Sequence, residues 1–583
     1  MHERLVKWRL WGVGAALLLA MCGLAGRLFS LHVGSHATVS RPWEAKLTAR
    51  RGAIYDRNGE NNPMAVSLTL YQPFLDPLSI KPKHDPRTIA ALVGERLNLN
   101  MGDILERFSA TNSRHQLLPV LVEERDCKAL STNKNISGIG WEERIVRTYP
   151  HARRMSSVLG FVNKEGTGGG GIEQHFESYL KGIPGRIESE KDGLQNEIAE
   201  RRTEYVPPRN GASVYLTLDN NIQYKVEEEM RQVAQEFNAT AAWAIVEKVE
   251  TGEILAMASW PDFDPNNYGE CSCMDWRNLP LCVNYEPGST MKAFTIGAAL
   301  NEGVVTPATR IDVGQGSWFY GGRILRDHAE GVIDVPTILK KSSNIGTAKI
   351  ALMLGNQRES AYFHAFGFGD RLGIDLPGEE SGILHSVRNW NVLTPTRVAI
   401  GQGVAVTGLQ LLNGYCAIAN GGKLMRPYVV SRIVDNETNV LYEAHPTIMA
   451  RPLRSEIAAQ LRTMLIGVTE EGGTATRAAV TNYTVAGKTG TSQMPVPGGG
   501  RYSDTDFWAS FVGILPAEKP VFGLLVVVER PHPQHMGGYV AAPVFSHIAE
   551  AVARYLEIPA SLNVDVAGTA DGRPTGPPQK GTP

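Results

Sequence analysis

The sequence predicts an α+β protein: an antiparallel sheet with flanking helices plus a helical subdomain, preceded by a mainly β domain and one N-terminal transmembrane helix. Three patterns carry that prediction. Strand and helix patterns recur at both ends of residues 207–557 around a largely helical middle, so a sheet is closed by terminal elements. Short strand-like runs and turns fill the preceding region, and an uncharged apolar run opens the chain.

A chain of 583 residues exceeds one compact core, and 43% hydrophobic residues supply apolar area for more than one. A formal net charge of -2 without a long single-sign block argues against a nucleic-acid partner. Gly166–Gly171 is Gly-rich but lacks a G-K-[ST] ending, and no zinc finger or dinucleotide fingerprint occurs, so no cofactor and no metal are expected.

Residues 1–9 carry Arg4, Lys7 and Arg9; Leu10 to Gly26 is then free of charge until Arg27, and Leu28 to Val33 is mostly apolar. This reads as a single-pass anchor over 10–33, with Arg27 snorkelling to the interface. The basic flank places residues 1–9 in the cytoplasm and the folded part on the periplasmic or extracytoplasmic side of the inner (plasma) membrane. A signal peptide cleaved near Gly23–Gly26 is the competing reading; a lipid anchor at Cys22, in a poor context, is the third.

A mainly β domain is expected over 45–206. Ile54-Tyr55 leads into Asp56-Arg57-Asn58-Gly59, the signal of a hairpin turn. Pro207-Pro208-Arg209-Asn210-Gly211 marks the boundary to a second domain over 207–557. There Val214–Leu218 reads as a strand, and Asp219 as the cap of a helix through Ile222, Val226, Met230 and Val233. Ala242–Lys248 and Glu253–Ala258 read as strands joined at Glu250-Thr251-Gly252. Trp508–Ile514 and Val521–Val528 are two more, and Val544–Leu556 is a terminal helix. Residues 563–583 read as a disordered tail. Of the 6 cysteines, Cys271, Cys273 and Cys282 crowd ahead of Ser289, so a bridge from Cys282 to Cys273 or Cys271 competes with free, semi-buried thiols.

The chemistry lies in three strings in fixed order: Ser289-Thr290-Met291-Lys292, Ser342-Ser343-Asn344 and Lys488-Thr489-Gly490-Thr491. Glu286-Pro287-Gly288 precedes a run of helix formers, so Ser289 falls on a first helical turn where free amides favour developing negative charge. Lys292, one turn on, brings its amine toward the serine hydroxyl. Burial and a second cation, Lys488, would push it toward neutrality and let it take the proton. Ser342 can relay a proton to a leaving amine, and the Asn344 amide can both donate and accept. Lys488 to Thr491 reads as an edge strand that pairs with an extended peptide, Lys488 and Thr489 binding its carboxylate and the amides of Ser289 and Thr491 forming an oxyanion hole. Each string alone fits a cap, a solvated lysine, a polar turn or a protected edge; their ordered set is an acyl-transfer site.

On these strings the chain resembles the class B penicillin-binding proteins. Similarity extends to Arg51–Gly59, Tyr149-Pro150, Gly171-Ile172-Glu173, Leu216-Thr217-Leu218-Asp219, Gly401-Gln402-Gly403 and Ala541-Ala542-Pro543-Val544-Phe545. Ser342-Ser343-Asn344 followed by Ile345-Gly346 looks like the division-specific members. The resemblance implies the serine β-lactamase/D,D-peptidase-like transpeptidase fold behind a pedestal. It implies a Ser289 acyl-enzyme that cross-links peptidoglycan stem peptides with release of D-alanine, and β-lactams as inhibitors. A membrane-embedded lipid-II glycosyltransferase and other division proteins are the implied partners. Two departures stand out: Gly408 follows Thr407 where the family usually has Pro, and His151-Ala152-Arg153-Arg154 lacks the usual Gly.

A serine β-lactamase shares the three strings but needs a base to activate water; Pro377-Gly378-Glu379-Glu380 lacks the E-x-x-L-N form of such a loop. A β-lactam sensor and a non-catalytic division scaffold are the further alternatives.

Overall fold

The computed structural model describes residues 2–36, 41–80, 85–109, 115–131, 138–191, 197–496, 498 and 500–561; the expected tail over 563–583 lies outside them. Helix α1 (His2–His36) contains the apolar stretch Val6–Ser30, long and apolar enough to cross a membrane, and the only such helix among the described residues.

The chain forms two compact units that are not contiguous in sequence. Among the described residues, one draws on 1–52, 69–146 and 181–212 and the other on 53–68, 147–180 and 213–583. In the first, Arg41–Leu47 and Glu204–Val206 flank Gly185–Lys191, both antiparallel to it. To these strands the structure adds helices over Pro86–Leu97, Met101–Ser109 and Glu124–Ser131. The first is started by Asp85, whose carboxylate accepts from Arg87 N, with Pro86 at the position that needs no N–H. Ile89, Val93, Ile104, Phe108 and Leu130 pack into one buried cluster.

The second unit is built on a five-stranded antiparallel sheet of β1 (Ala241–Lys248), β2 (Ile254–Trp260), β3 (Ala486–Pro495), β4 (Tyr502–Leu515) and β5 (Phe522–Glu529), in the order β2-β1-β5-β4-β3. The principal helices are α2 (Asn220–Glu236), α3 (Lys292–Asn301), α4 (Asn344–Leu354), α5 (Gly408–Ala419) and α6 (Gly537–Tyr555). Ile222, Val226, Met230 and Val233 of α2 and Phe545 and Ile548 of α6 bury one face of the sheet, meeting Ala244, Val526 and Phe511. Helix α5 covers the other face. Both faces being covered, β1 and β5 read as continuous apolar runs rather than alternating ones. Asp219 caps α2 as expected, accepting from Asn221 N at 2.9 Å.

Strand β4 begins six residues before the expected Trp508. Its first arm, Tyr502-Ser503-Asp504-Thr505-Asp506-Phe507, is polar and pairs with the end of β3 (Gln493↔Phe507, Pro495↔Tyr502). Helix α6 begins seven residues before the expected Val544. Pro543 lacks the N–H of an interior helical residue and so breaks the pattern in sequence, yet the helix runs through it. Gly408 opens α5 without the rigidity of proline; a capping box replaces it, Thr407 Oγ1 accepting from Gln410 N and Gln410 Oε1 from Thr407 N. Ala152 holds φ +51° in the loop lacking the usual Gly. Glu173, fully buried, accepts from Arg147 Nε at 2.7 Å and from Tyr149 OH at 3.1 Å, which ties two family elements together.

Candidate active site

Ser289 lies in a 3-10 turn, Gly288–Met291, that leads into α3. Gly288 makes the turn possible at φ +58°, and the backbone crowds it: a Cβ there would lie 3.0 Å from the Thr491 carbonyl oxygen. Gly401, at φ +77°, is closer still, since its Cβ would stand 2.1 Å from the Gly288 carbonyl oxygen, and its own carbonyl accepts from Gly288 N at 3.1 Å. Three neutral bonds complete the support: Tyr415 OH to Thr290 O at 2.8 Å, Thr290 Oγ1 to Pro287 O at 2.9 Å and Ser492 Oγ to Glu286 O at 2.5 Å.

Lys292 is fully buried one turn further along. Its Nζ lies 2.5 Å from Ser342 O, 2.7 Å from Asn344 Oδ1 and 3.1 Å from Ser342 Oγ. The sequence placed this amine at the Ser289 hydroxyl; the structure turns its bonds to the second string instead, because two backbone and amide oxygens there solvate a buried nitrogen. Burial first, and then the Lys488 charge, hold Lys292 well below the usual lysine range, with Asp327 opposing. Lys488, also fully buried, lies 3.0 Å from Ser342 Oγ and 3.3 Å from Thr489 Oγ1, and burial pushes it down to about 7. One hydroxyl, Ser342 Oγ, thus stands between two lysine nitrogens.

The turn carrying Ser342 is strained and charge-braced. Ser342 adopts φ +57°, and Ser343 caps α4 by accepting from Gly346 N at 3.0 Å. Asp327 braces both sides of that cap, accepting from Ser343 Oγ and, at 3.0 Å, from Ile345 N. Asn344 Nδ2 donates to Arg326 O at 3.0 Å, which fixes its oxygen toward Lys292. Asp327 was not singled out by the sequence: an acidic residue in a polar turn carries no periodic signal, and only its proximity to Ser343 reveals its role.

Strand β3 is the sheet edge, so one side of Lys488-Thr489-Gly490-Thr491 has no strand partner in the sheet. Successive side chains alternate: Lys488 reaches Ser342, whereas Thr491 Oγ1 accepts from Gly537 N at 3.0 Å and Thr489 Oγ1 lies 3.0 Å from Thr474 Oγ1. The structure therefore joins Lys292, Ser342, Asn344, Lys488 and Thr489 through hydrogen bonds and packs the turn that carries Ser289 against Gly490 and Thr491.

The cysteine bridge is not formed. All six cysteines are free thiols. Cys282 Sγ accepts from Arg277 Nε at 3.4 Å, Cys271 Sγ from Trp276 Nε1 at 3.2 Å, and Cys273 is exposed. An aromatic cluster orders the loop in place of a bridge, Phe161 stacking on Tyr268 at 4.2 Å and tilting against Trp276 at 4.7 Å. Glu379 is occupied as well: its oxygens accept from Leu372 N at 2.7 Å and Gly373 N at 3.0 Å. Among the described residues no cluster of three His, Cys, Asp or Glu side chains is placed to hold a metal ion.

The family model for the penicillin binding protein transpeptidase domain matches residues 242–550, and that for the penicillin-binding protein dimerisation domain matches 46–216. The chain is 31% identical to stage V sporulation protein D of Bacillus subtilis, over 85% of this chain and 77% of that protein. It is 29% identical to the peptidoglycan D,D-transpeptidase FtsI of Escherichia coli, over 96% and 93% of the two chains. Among solved structures, penicillin binding protein 3 of Mycobacterium tuberculosis complexed with aztreonam superposes with a TM-score of 0.69 at 26% identity, covering 89% of this chain and 98% of that one. A transpeptidase model over more than half of the chain, behind the matching pedestal model, shows that this chain belongs to the class B penicillin-binding proteins of the division type.

Proposed function

We propose that this serine-type D-Ala-D-Ala transpeptidase cross-links peptidoglycan stem peptides at the division septum, with Ser289 as its nucleophile. The observation that carries the residue roles is the pair of lysines on Ser342 Oγ, at 3.1 Å from Lys292 and 3.0 Å from Lys488. Neutral Lys292 has two N–H bonds to give, and Ser342 O and Asn344 Oδ1 take them. Its lone pair then faces the Ser342 hydroxyl, while a protonated Lys488 donates to the same oxygen.

A donor stem pairs with the free side of β3, its terminal carboxylate at Lys488 and Thr489 and its scissile carbonyl oxygen at the amides of Ser289 and Thr491. Ser289 Oγ attacks that carbonyl carbon as its proton passes through Ser342 Oγ to Lys292. Collapse of the tetrahedral intermediate breaks the amide bond, and the departing D-alanine nitrogen receives a proton through Ser342 Oγ. An amine of a neighbouring stem then attacks the ester, loses its proton by the reverse route and frees Ser289. β-Lactams enter as carbonyl electrophiles of the same shape. The basic residues Arg4, Lys7 and Arg9, ahead of the uncharged run from Leu10, orient the catalytic unit to the periplasmic or extracytoplasmic side. A membrane-embedded lipid-II glycosyltransferase and other division proteins are its proposed partners.

A hydrolytic β-lactamase is the weaker reading, because both oxygens of Glu379 already accept from backbone amides. Intact-mass spectrometry of the full chain in detergent with benzylpenicillin, followed after removal of excess drug, separates the readings. A single persistent adduct, absent in Ser289→Ala, is expected. Rapid adduct loss with drug consumption would establish a β-lactamase, and no adduct a scaffold.

A further inference from the structure

A second cavity, of ≈ 690 Å3, opens between the far end of the β3–β4 hairpin and the loops over residues 385–403. Gln493 and Tyr502 form its sheet wall; Arg323, His385, Arg397 and Gln402 face them. No Asp or Glu lines it. Arg397 is half-buried and donates to a neutral group, Gln402 Oε1, at 3.0 Å; among the described residues no carboxylate lies within ion-pair distance of Arg397 or of Arg323. A half-buried guanidinium without an anion is costly unless a ligand supplies one. Glu286, behind the wall, accepts through Oε1 from Gly403 N at 2.9 Å and Tyr502 OH at 3.1 Å, its Oε2 is buried without a hydrogen-bond partner among the described residues, and burial raises its carboxyl.

The position of the cavity along the strand gives the ligand. A stem whose carboxy terminus lies at Lys488 and whose scissile carbonyl lies at Thr491 runs antiparallel to β3, so its upstream residues pass Gln493. Each residue of an extended peptide advances about 3.4 Å, so the two residues preceding the D-alanyl pair reach the cavity mouth. The geometry points to this cavity as a donor-side subsite that binds, through Arg397 with Arg323 beside it, a free carboxylate on the stem upstream of the D-alanyl residues. That carboxylate has two sources, the side chain of the third stem residue or the α-carboxyl left free by a γ-linked glutamate in the second. The inference rests on the acyl-transfer reading above and adds to it the charge that the donor must carry.

The test uses the full chain in detergent and four donor peptides ending in D-Ala-D-Ala: both carboxylates free, either one amidated, and both amidated. Release of D-alanine is measured for wild type, Arg397→Gln and Arg397→Lys. Wild type is expected to favour the free donor over the doubly amidated one by about tenfold or more in kcat/KM, the scale of one charge-assisted bond. Arg397→Gln collapses that ratio toward one and Arg397→Lys restores part of it; whichever single amidation reproduces the loss in wild type identifies the source. Equal ratios in wild type and Arg397→Gln overturn the subsite. So does an Arg397→Gln variant that slows all four donors and benzylpenicillin acylation alike, since that is a folding role. If wild type takes none of the donors and no penicillin adduct forms, the acyl-transfer reading itself has failed, and the subsite with it.

Discussion

Gly288 and Ser342 hold nearly the same left-handed backbone angle, φ +58° and φ +57°, and are held there by opposite means. Around Gly288 the restraint is packing: backbone atoms of Thr491 and Gly401 close on it, and the hydrogen bonds to the turn are neutral. Around Ser342 the restraint comes from ionisable groups, Lys292, Lys488 and, through Ser343, Asp327. The nucleophile is thus placed by parts that do not titrate, and the proton relay by parts that do. Glycine takes the strained angle at no cost where no side chain is needed; serine bears it where a hydroxyl must be aimed, at about 1 kcal/mol.

The largest break in the comparison comes from Lys292→Ala. It removes the base and leaves Ser342 O and Asn344 Oδ1 without their donor, yet the Ser289 turn keeps its own supports. Penicillin acylation, followed by intact mass, is expected to fall about 10³-fold while the variant still melts cooperatively. A loss below tenfold would mean that another group takes the Ser289 proton.

Gly401→Ala attacks the packed side. Its Cβ would sit 2.1 Å from a backbone oxygen at a φ of +77°, so the turn has to move. A stability loss of about 3 kcal/mol is expected by denaturant unfolding, with acylation falling at every pH. The charged side breaks differently, with pH. Lys488 titrates at about 7, lowered by burial, so raising the pH through 7 strips the cation that binds the substrate carboxylate. KM for a peptide donor is therefore expected to climb above pH 7, whereas Lys488→Arg, always charged, flattens that climb even if its bulk lowers kcat. Stability moves the other way: above 7 the folded state has released a proton that the unfolded lysine still holds, so this group's contribution becomes more favourable as pH rises toward 10.

How much of this was readable in the sequence follows the same division. The packed side left marks in one dimension: Glu286-Pro287-Gly288 announces a turn, the spacing of Ile222, Val226, Met230 and Val233 announces a buried face, and Asp219 announces a cap. Of the residues in the three strings, Lys292, Ser342, Asn344, Lys488 and Thr489 meet through hydrogen bonds, and the Ser289 turn packs on Gly490 and Thr491. The direction of Lys292 was not readable, because a lysine three residues after a serine can reach the hydroxyl or turn to another loop, and the choice depends on oxygens some 50 residues away. Asp327 and the Arg397 cavity were invisible for the same reason, each being a polar group whose partner is set by tertiary placement. The cysteine loop left a bridge and free thiols both open, because closeness in sequence says nothing of which neighbour a sulfur meets; Trp276 and Arg277 meet two of its sulfurs.

The smallest expected effect sharpens the comparison most. Ala152 holds φ +51° outside the catalytic cleft, in a loop where no side-chain hydroxyl is needed, so its strain serves no chemistry that the structure shows. Ala152→Gly should relieve about 1 kcal/mol of backbone strain and lose roughly half of that to the greater freedom of the unfolded chain, a net gain of about 0.5 kcal/mol with acylation unchanged. Ser342→Gly should gain about the same over Ser342→Ala, since both lack the hydroxyl and differ only in the Cβ, while both acylate about a hundredfold more slowly than wild type. Matching gains would show that the relay serine carries ordinary left-handed strain, tolerated for the position of one oxygen. If Ser342→Gly were instead no more stable than Ser342→Ala, the charges around that turn would be distorting the backbone on their own account, and the division between a packed nucleophile and a charge-held relay would lose its second half.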